Sequence, residues 1–466
     1  MNLIPYGAAG VVTGSAYLLE LEHARILIDF GMFQGDRELE AMNIVPEGLH
    51  ARDLDAVILT HGHLDHCGRL PMLVRRGYRG SIFTTAATIE MAELVLRDAA
   101  HIMEADYERK LRKAQKKGMK VNRDDAPLFD ADDVADTIKL MRAVDYDTLL
   151  DVAPGVAARF LDAGHMLGSA SIELRVMDQG TTRRIVFSGD IGPHGLPFLR
   201  DPNPPEPADV VVMESTYGDR NHRSLADTLA EFSRIVQQAV AQNGKIFVPS
   251  FAIGRTQQLL YHLAELFKQK VIPAIPIYID SPMGINATRI YQHHTELFDD
   301  ESTALLRSGE LLSLLTSVHT TETREESQAI NDVKGPIVVI AGSGMATAGR
   351  ILHHLRQNLD DPTAHVIIVG YQGHGTLGRK LVDGQQVVSV LGDKISVRAQ
   401  IHTLGGFSAH AGQSELIDWG RHCIGPTTSV YLTHGEDDAR TVLAERLQET
   451  TGVVPYLPTY AERLIV

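Results

Sequence analysis

The segment THGHLDHCG at residues 60–68, set directly after the apolar run DAVIL, constrains this chain more than any other feature. His61, His63, Asp65 and His66 fall within six residues, on what should be a loop at a strand end. Neutral imidazole and carboxylate are the ligands that suit zinc, manganese or iron. Four such groups at the end of a buried strand, with no metal to hold, would carry a large desolvation cost. The fold must therefore bring the edge of a buried sheet to a metal centre.

One loop cannot complete two metal sites, so further ligands are expected at other strand ends. His165 in DAGHMLGSAS, Asp190 closing RIVFSGD and His434 in VYLTHGE each follow a strand-like run. Taken singly, each reads equally well as a satisfied core or turn residue. With the first loop they make seven ligands, about what two metals need.

The runs at 16–21, 24–30 and 55–60 read as short strands, and 87–117 reads as a helix stopped at Gly118. Strands resume at 157–162, 171–177, 183–188 and 209–213. From about residue 214 strands alternate with helices, the rhythm of a parallel, doubly wound sheet. The proline-rich DPNPPEPAD (201–209) reads as a linker. These patterns predict one domain interrupted by another: 1–208, an insertion at 209–395, and a return at 396–466.

Composition closes off other classes. With 44 basic and 59 acidic residues the net charge is −15, so a broad basic surface for nucleic acid is excluded. Two cysteines cannot form a disulfide framework and point to a reducing compartment. Cys67 reads as a space filler, and Cys423 carries no signal. The N-terminus lacks a basic, then apolar, secretory signal, and no apolar run reaches transmembrane length, so a cytoplasmic protein with no membrane role is expected.

Asp29 in LIDFG, HGHLDH, GHMLGS and FSGD occur in the order of the metal motifs of the metallo-β-lactamase superfamily, which the chain resembles. MESTYG (213–218), GFSAHA (406–411) and THGE (433–436) resemble the three signature motifs of its β-CASP nucleases, and PSFAIGRTQQLL resembles their recurrent Arg-containing motif. The resemblance implies an α/β fold: an αββα sandwich with an inserted doubly wound β-CASP domain. It implies two zinc ions, with manganese as an alternative. His61, His63 and His165 would hold one ion; Asp65, His66 and His434 the other; Asp190 would bridge them, and Asp29 would orient ligands. His410 would be the acid for the leaving group, with Glu214 orienting it, and Asp65 and Asp190 complete the catalytic set. Arg255, Ser343 and Arg379 are the candidates for holding substrate phosphate, each with a purely structural reading beside it.

The activity so implied is hydrolysis of RNA phosphodiester bonds by a hydroxide activated between two metals. It would be mainly endonucleolytic, with 5′-to-3′ exonuclease action as a second mode. The insertion would add a wall to a narrow cleft suited to a polymer, which disfavours a small-molecule hydrolase. In family terms a third-motif histidine, His434 here, marks RNA-acting members and disfavours a DNA repair nuclease. A scaffold without catalysis is disfavoured because every expected ligand is present. RNA is the expected partner, with a homodimer also open. Separately, Arg109, Lys113, Lys116 and Lys120 recur at helical spacing. That basic strip reads first as a solvated helix face and second as an RNA contact.

Overall fold

The computed structural model describes residues 1–117, 126–178, 180–308, 317–370, 372–373 and 375–466. Gly118 and Lys120, the expected helix stop and the last member of the basic strip, lie outside the described residues. The chain divides into two compact units. Unit one is 1–195, 200–221 and 410–466, and unit two is 196–199 with 222–409.

Unit one holds two sheets. The first runs, in spatial order, Leu464–Ile465, Asn2–Pro5, Tyr17–Glu20, Arg25–Ile28, Ala56–Ile58, Ser81–Thr84 and Met141–Ala143. The second runs Ile424–Thr433, Ala208–Glu214, Thr181–Phe187, Ala170–Asp178, Val156–Asp162 and Leu149–Ala153. Alternation along each strand builds the core between them. Ile26, Ile28 and Ile58 from one sheet meet Phe160, Ile172, Leu174 and Val212 from the other. The residues in between are buried too. Val211, Met213, Val430 and Leu432 pack under Leu416 and Trp419 of helix Gln413–Cys423 and Leu443 of helix Asp437–Thr451. Burial on both faces explains why these strands read as continuous apolar runs.

The C-terminal segment ties the two sheets together. Tyr456 exchanges backbone hydrogen bonds with Val430 and Leu432 at the edge of the second sheet, at 2.7 and 3.0 Å. Eight residues on, Leu464 and Ile465 pair with Leu3 and Asn2 at the edge of the first.

Unit two holds one sheet of parallel pairs, ordered Val318–Thr320, Ile277–Ile279, Val338–Ala341, Ile246–Pro249, His365–Ile368 and Gln400–Thr403, and a separate antiparallel pair, Val387–Val390 with Asp393–Ser396. Apolar clusters cover both faces. Helix Arg255–Lys268, which follows the strand ending at Pro249, buries Leu259 and Leu263 on one face. Helix Ile351–Asn358, which follows the neighbouring strand ending at Ala341, buries Ile351 and Leu355 on the other. Adjacent strands whose connections leave toward opposite faces form the switch point of a doubly wound sheet.

The sequence boundaries differ from these units. Strand Ala208–Glu214, placed in the insertion by a boundary at 208/209, pairs with Ile185–Phe187 and with Ser429–Thr433 and so belongs to unit one. The prolines of 201–207 therefore precede a strand of unit one, not a domain junction. Likewise Gln400–Thr403 pairs with His365–Ile368, which keeps the chain in unit two until His410.

Candidate metal centre

All seven expected ligands, with Asp29, Glu214 and His410, lie in unit one, most of them just after its strands and His410 in the loop before helix Gln413–Cys423. Asp29 follows Arg25–Ile28, and Thr60–His61 follow Ala56–Ile58. Asp190 follows Thr181–Phe187, Glu214 ends its own strand, and His434 follows Ile424–Thr433. His63 caps the short helix Leu64–Cys67, which carries Asp65 and His66. This helix can approach only because residue 31 is glycine: a Cβ there would sit 1.5 Å from the Asp65 carbonyl oxygen.

Two ligand sets converge, and Asp190, Glu214 and His434 form a third, overlapping group. His61, His63, His165 and Asp190 form one, and Asp65, His66 and His434 form the other. Asp190 faces both. Its Oδ2 lies 3.5 Å from His61 Nε2 and 3.6 Å from His165 Nε2. Its Oδ1 lies 3.3 Å from His66 Nε2 and 3.6 Å from His434 Nδ1. That Oδ1 is buried and accepts no hydrogen bond. Ring nitrogens crowd as well: His63 Nδ1 is 3.1 Å from both His61 Nε2 and His165 Nε2, and His66 Nε2 is 3.2 Å from His434 Nε2. Lone pairs so close repel unless a proton or a cation sits among them. Burial, reinforced by His66, holds His61 well below its ordinary pKa, so it is neutral and able to ligate. Burial opposes protonation of His66 too, but Asp190 and Asp29 hold its pKa well above the ordinary value. A cation would take the place of that proton. The donor set and the orphaned carboxylate oxygen fit a metal centre.

The supporting residues are hydrogen-bonded in a chain. Asp29 accepts from Thr60 N and Thr60 Oγ1 and holds His66 Nδ1, each at 2.8 Å. Its carboxylate thus fixes the ring that turns Nε2 toward Asp190. Asp29 and His434 both take left-handed backbone, with φ of 57° and 47°. Such strain is tolerated where the surroundings fix a functional side chain.

His410 Nδ1 lies 3.3 Å from Glu214 Oε2 and 3.9 Å from Asp190 Oδ2. Burial pulls its pKa down, but Glu214 and Asp190 outweigh this and raise it to about 9. Glu214 also accepts from Ile191 N and Thr216 Oγ1, both at 2.5 Å.

Sequence reasoning missed three supporting residues. Thr60 bonds Asp29 and sits 3.1 Å from His61 Nδ1. Thr216 stands between Glu214 and His434. Arg69, fully buried, donates to the carbonyls of Gly31, Gly14, Tyr6 and Ile44 beneath the ligand loop. The two threonines adjoin ligand motifs and could have been suspected on that ground. Arg69 gave no signal. Cys67 is wholly buried, and burial keeps its thiol protonated, in keeping with a filler.

The three substrate-binding candidates all lie in unit two. Arg255 opens its helix, is 9% exposed and donates to Gln258 Oε1 at 2.8 Å. Ser343 Oγ accepts from Thr347 N and Ala348 N at 3.0 and 3.2 Å, organising its own loop. Arg379 pairs with Asp383 at 2.9 Å along its helix. In unit one the basic strip lies on helix Ala86–Lys116, where Arg109, Arg112, Lys113 and Lys116 are exposed. Arg109 pairs there with Asp106 and Arg112 with Glu108. No helix among the described residues is long and apolar enough to cross a membrane.

Three family models match the chain: the metallo-beta-lactamase superfamily at residues 9–78, the Beta-Casp domain at 256–381, and the Zn-dependent metallo-hydrolase RNA specificity domain at 394–458. Ribonuclease TTHA0252 of Thermus thermophilus is 40% identical over 447 residues, covering 96% of each chain. Transcription termination factor FttA of Methanosarcina mazei is 30% identical, over 94% of this chain and 67% of its own. A solved structure of a protein of unknown function from Enterococcus faecalis covers the whole chain with a TM-score of 0.55 at 11% identity, a likeness of fold.

Proposed function

Because this chain belongs to the β-CASP branch of the metallo-β-lactamase superfamily, we propose that it is a metal-dependent ribonuclease that hydrolyses RNA phosphodiester bonds, mainly from within the strand. The observation that carries this reading is Asp190, whose two oxygens each face a separate set of ligands. Two zinc ions are the proposed occupants. His61, His63 and His165 would hold one, Asp65, His66 and His434 the other, with Asp190 shared.

Metal bound there supplies Lewis acidity toward the phosphodiester and lowers the pKa of water. The protein's own residues supply the rest. Asp29 and Thr60 hold the imidazoles in place. Glu214 and Asp190 both lie on the Nδ1 side of His410, at 3.3 and 3.9 Å. Glu214 and Asp190 favour the protonated ring, the form a general acid needs. The ribose 3′-oxygen is a poor leaving group until it receives that proton. The RNA preference rests on the matched RNA specificity domain and on the ribonuclease relative.

Metal-loaded protein incubated with 5′- and 3′-labelled RNA and DNA oligomers tests the reading. Internal RNA fragments as first products, with DNA left intact, are expected. Cleavage of DNA alone, or of neither polymer, would overturn it. Elemental analysis should find two zinc ions per chain.

A further inference from the structure

The loop that follows Pro249 in unit two carries an exposed aromatic ring. All 13 phenylalanines are among the described residues, and of these only Phe251 is exposed, at 51%, although its neighbour Ser250 is fully buried. A single exposed apolar side chain needs no explanation by itself. This one, however, is mounted. Its carbonyl oxygen accepts from two buried hydroxyls, Ser250 Oγ at 3.0 Å and Thr256 Oγ1 at 2.9 Å, so the backbone beneath the ring is clamped.

The ring also rests on glycine. A Cβ at Gly344 would meet it at 2.8 Å, and one at Gly370 at 3.6 Å. These glycines belong to the loops after Val338–Ala341 and His365–Ile368, the strands flanking the one that leads to Phe251. Gln372 ties the two loops by donating to the carbonyls of Gly344 and Gly370 at 3.0 and 3.1 Å. The ring therefore lies at the carboxyl ends of three parallel strands, beside the switch point, where doubly wound sheets bind ligands.

A flat ring held on a clamped backbone bed suits a ligand that itself offers a flat face. We propose that Phe251 is a stacking platform for an unpaired base of the RNA, an inference that rests on the ribonuclease reading. Because its backbone is already fixed, little freedom remains to be lost on binding. Stacking accepts every base, so the platform holds single strands without reading their sequence.

The test uses the full metal-loaded chain and a short single-stranded, phosphorothioate-linked RNA that resists cleavage, with 2-aminopurine placed at each position in turn. One position should be quenched on binding. Phe251→Ala should abolish that quench and weaken affinity by roughly 5- to 100-fold, the range that loss of one stacked base covers. Phe251→Trp should restore both, and Phe251→Leu should not. An abasic residue at the quenched position should weaken binding to the unaltered protein and leave Phe251→Ala no worse off. Undiminished quenching in Phe251→Ala, or rescue by Leu equal to that by Trp, overturns the platform. If Phe251→Ala fails to fold, the contrast between Trp and Leu decides alone. These are binding measurements, so they separate the two readings. Tight binding without cleavage of ordinary RNA would sink the ribonuclease, and cleavage with no effect of Phe251 would sink the platform only.

Discussion

Asp190 in unit one and Asp280 in unit two are both buried aspartates just beyond the end of a strand in a parallel pair. Their surroundings differ in kind. Asp280 Oδ1 accepts from Thr321 and Arg350 at 2.6 and 2.7 Å, and Oδ2 from Ser327 and His354 at 2.6 and 2.7 Å. Burial pushes its carboxyl up, but the hydrogen bonds from His354, Ser327, Thr321 and Arg350 hold it well below the usual range. Asp190 is hemmed in by imidazole nitrogens, yet its Oδ1 is bonded to none. A carboxylate with every lone pair filled acts as a strut between elements. One surrounded by donors of electron pairs, with an oxygen left over, is shaped for a cation.

Substitution at the two aspartates should therefore fail in opposite ways. Asp190→Ala should lose metal from both sets and slow cleavage by more than ~10⁴-fold, beyond what one acid–base group is worth. Its metal-free melting temperature should change little. Full metal content by elemental analysis would break the contrast on this side.

Removing His410 sharpens the same side, because it separates the acid from the metals. His410→Ala should keep its metal and lose ~10²–10⁴-fold in rate. RNA with sulfur at the scissile 3′-position needs no proton on its leaving group. It should recover most of the loss in His410→Ala and little in a variant lacking His61. Equal cleavage of the oxygen and sulfur substrates by His410→Ala would show that His410 is not the acid.

On the other side, Asp280→Ala should cost ~3–5 kcal/mol of stability, since it strands Arg350 and His354 without their partner. Cleavage per folded molecule should hold. The pH dependence has a definite sign. A carboxyl whose folded pKa is depressed contributes stability above its unfolded value, about 3.9, and that contribution fades as pH falls below it. Chemical denaturation should thus show the gap between the parent protein and Asp280→Ala closing below about pH 4. A gap that stays constant into acid would remove Asp280 from the struts.

The smallest effect concerns charge outside both sites. Reversing Arg109, Lys113 and Lys116 to Glu should raise KM for long RNA and lower the salt slope of binding by about 1 for each phosphate the strip had neutralised. Short substrates should be unaffected. Arg109 is already paired with Asp106, which limits what it can give. An unchanged slope would leave the strip as a solvated helix face.

The candidate site was more legible in the sequence than the boundaries around it. Metal ligands must sit close together on short loops at strand ends, so HGHLDH and the isolated His165, Asp190 and His434 stood out by residue type and place. Thr60 and Thr216 did not, because a threonine is ordinary until its hydroxyl is seen between two site residues. The left-handed backbone at Asp29 and His434 was equally hidden. Both are residues of ordinary chirality at positions where glycine would have announced the conformation. The prolines of 201–207 misled because proline marks a rigid bend wherever one occurs, while membership of a unit is decided by pairing partners far away in sequence. Strand Ala208–Glu214 takes one of its partners from residues 429–433, which no local pattern reveals. The side-chain partners of Arg255, Ser343 and Arg379 were likewise invisible until the fold was known.

The seven candidate ligands stretch from His61 to His434, with the whole of unit two encoded between Asp190 and His434. A ribosome must make them in that order. Throughout synthesis of the inserted unit, the early ligands wait at a sheet edge that still lacks His434 and its strand, Ile424–Thr433. Chains are built from the N-terminus, and early domains fold while later ones are still being made. Here the early part cannot be finished early. As a ribonuclease, the nascent protein would remain harmless beside the message that encodes it. The order of its residues delays its chemistry without any inhibitor.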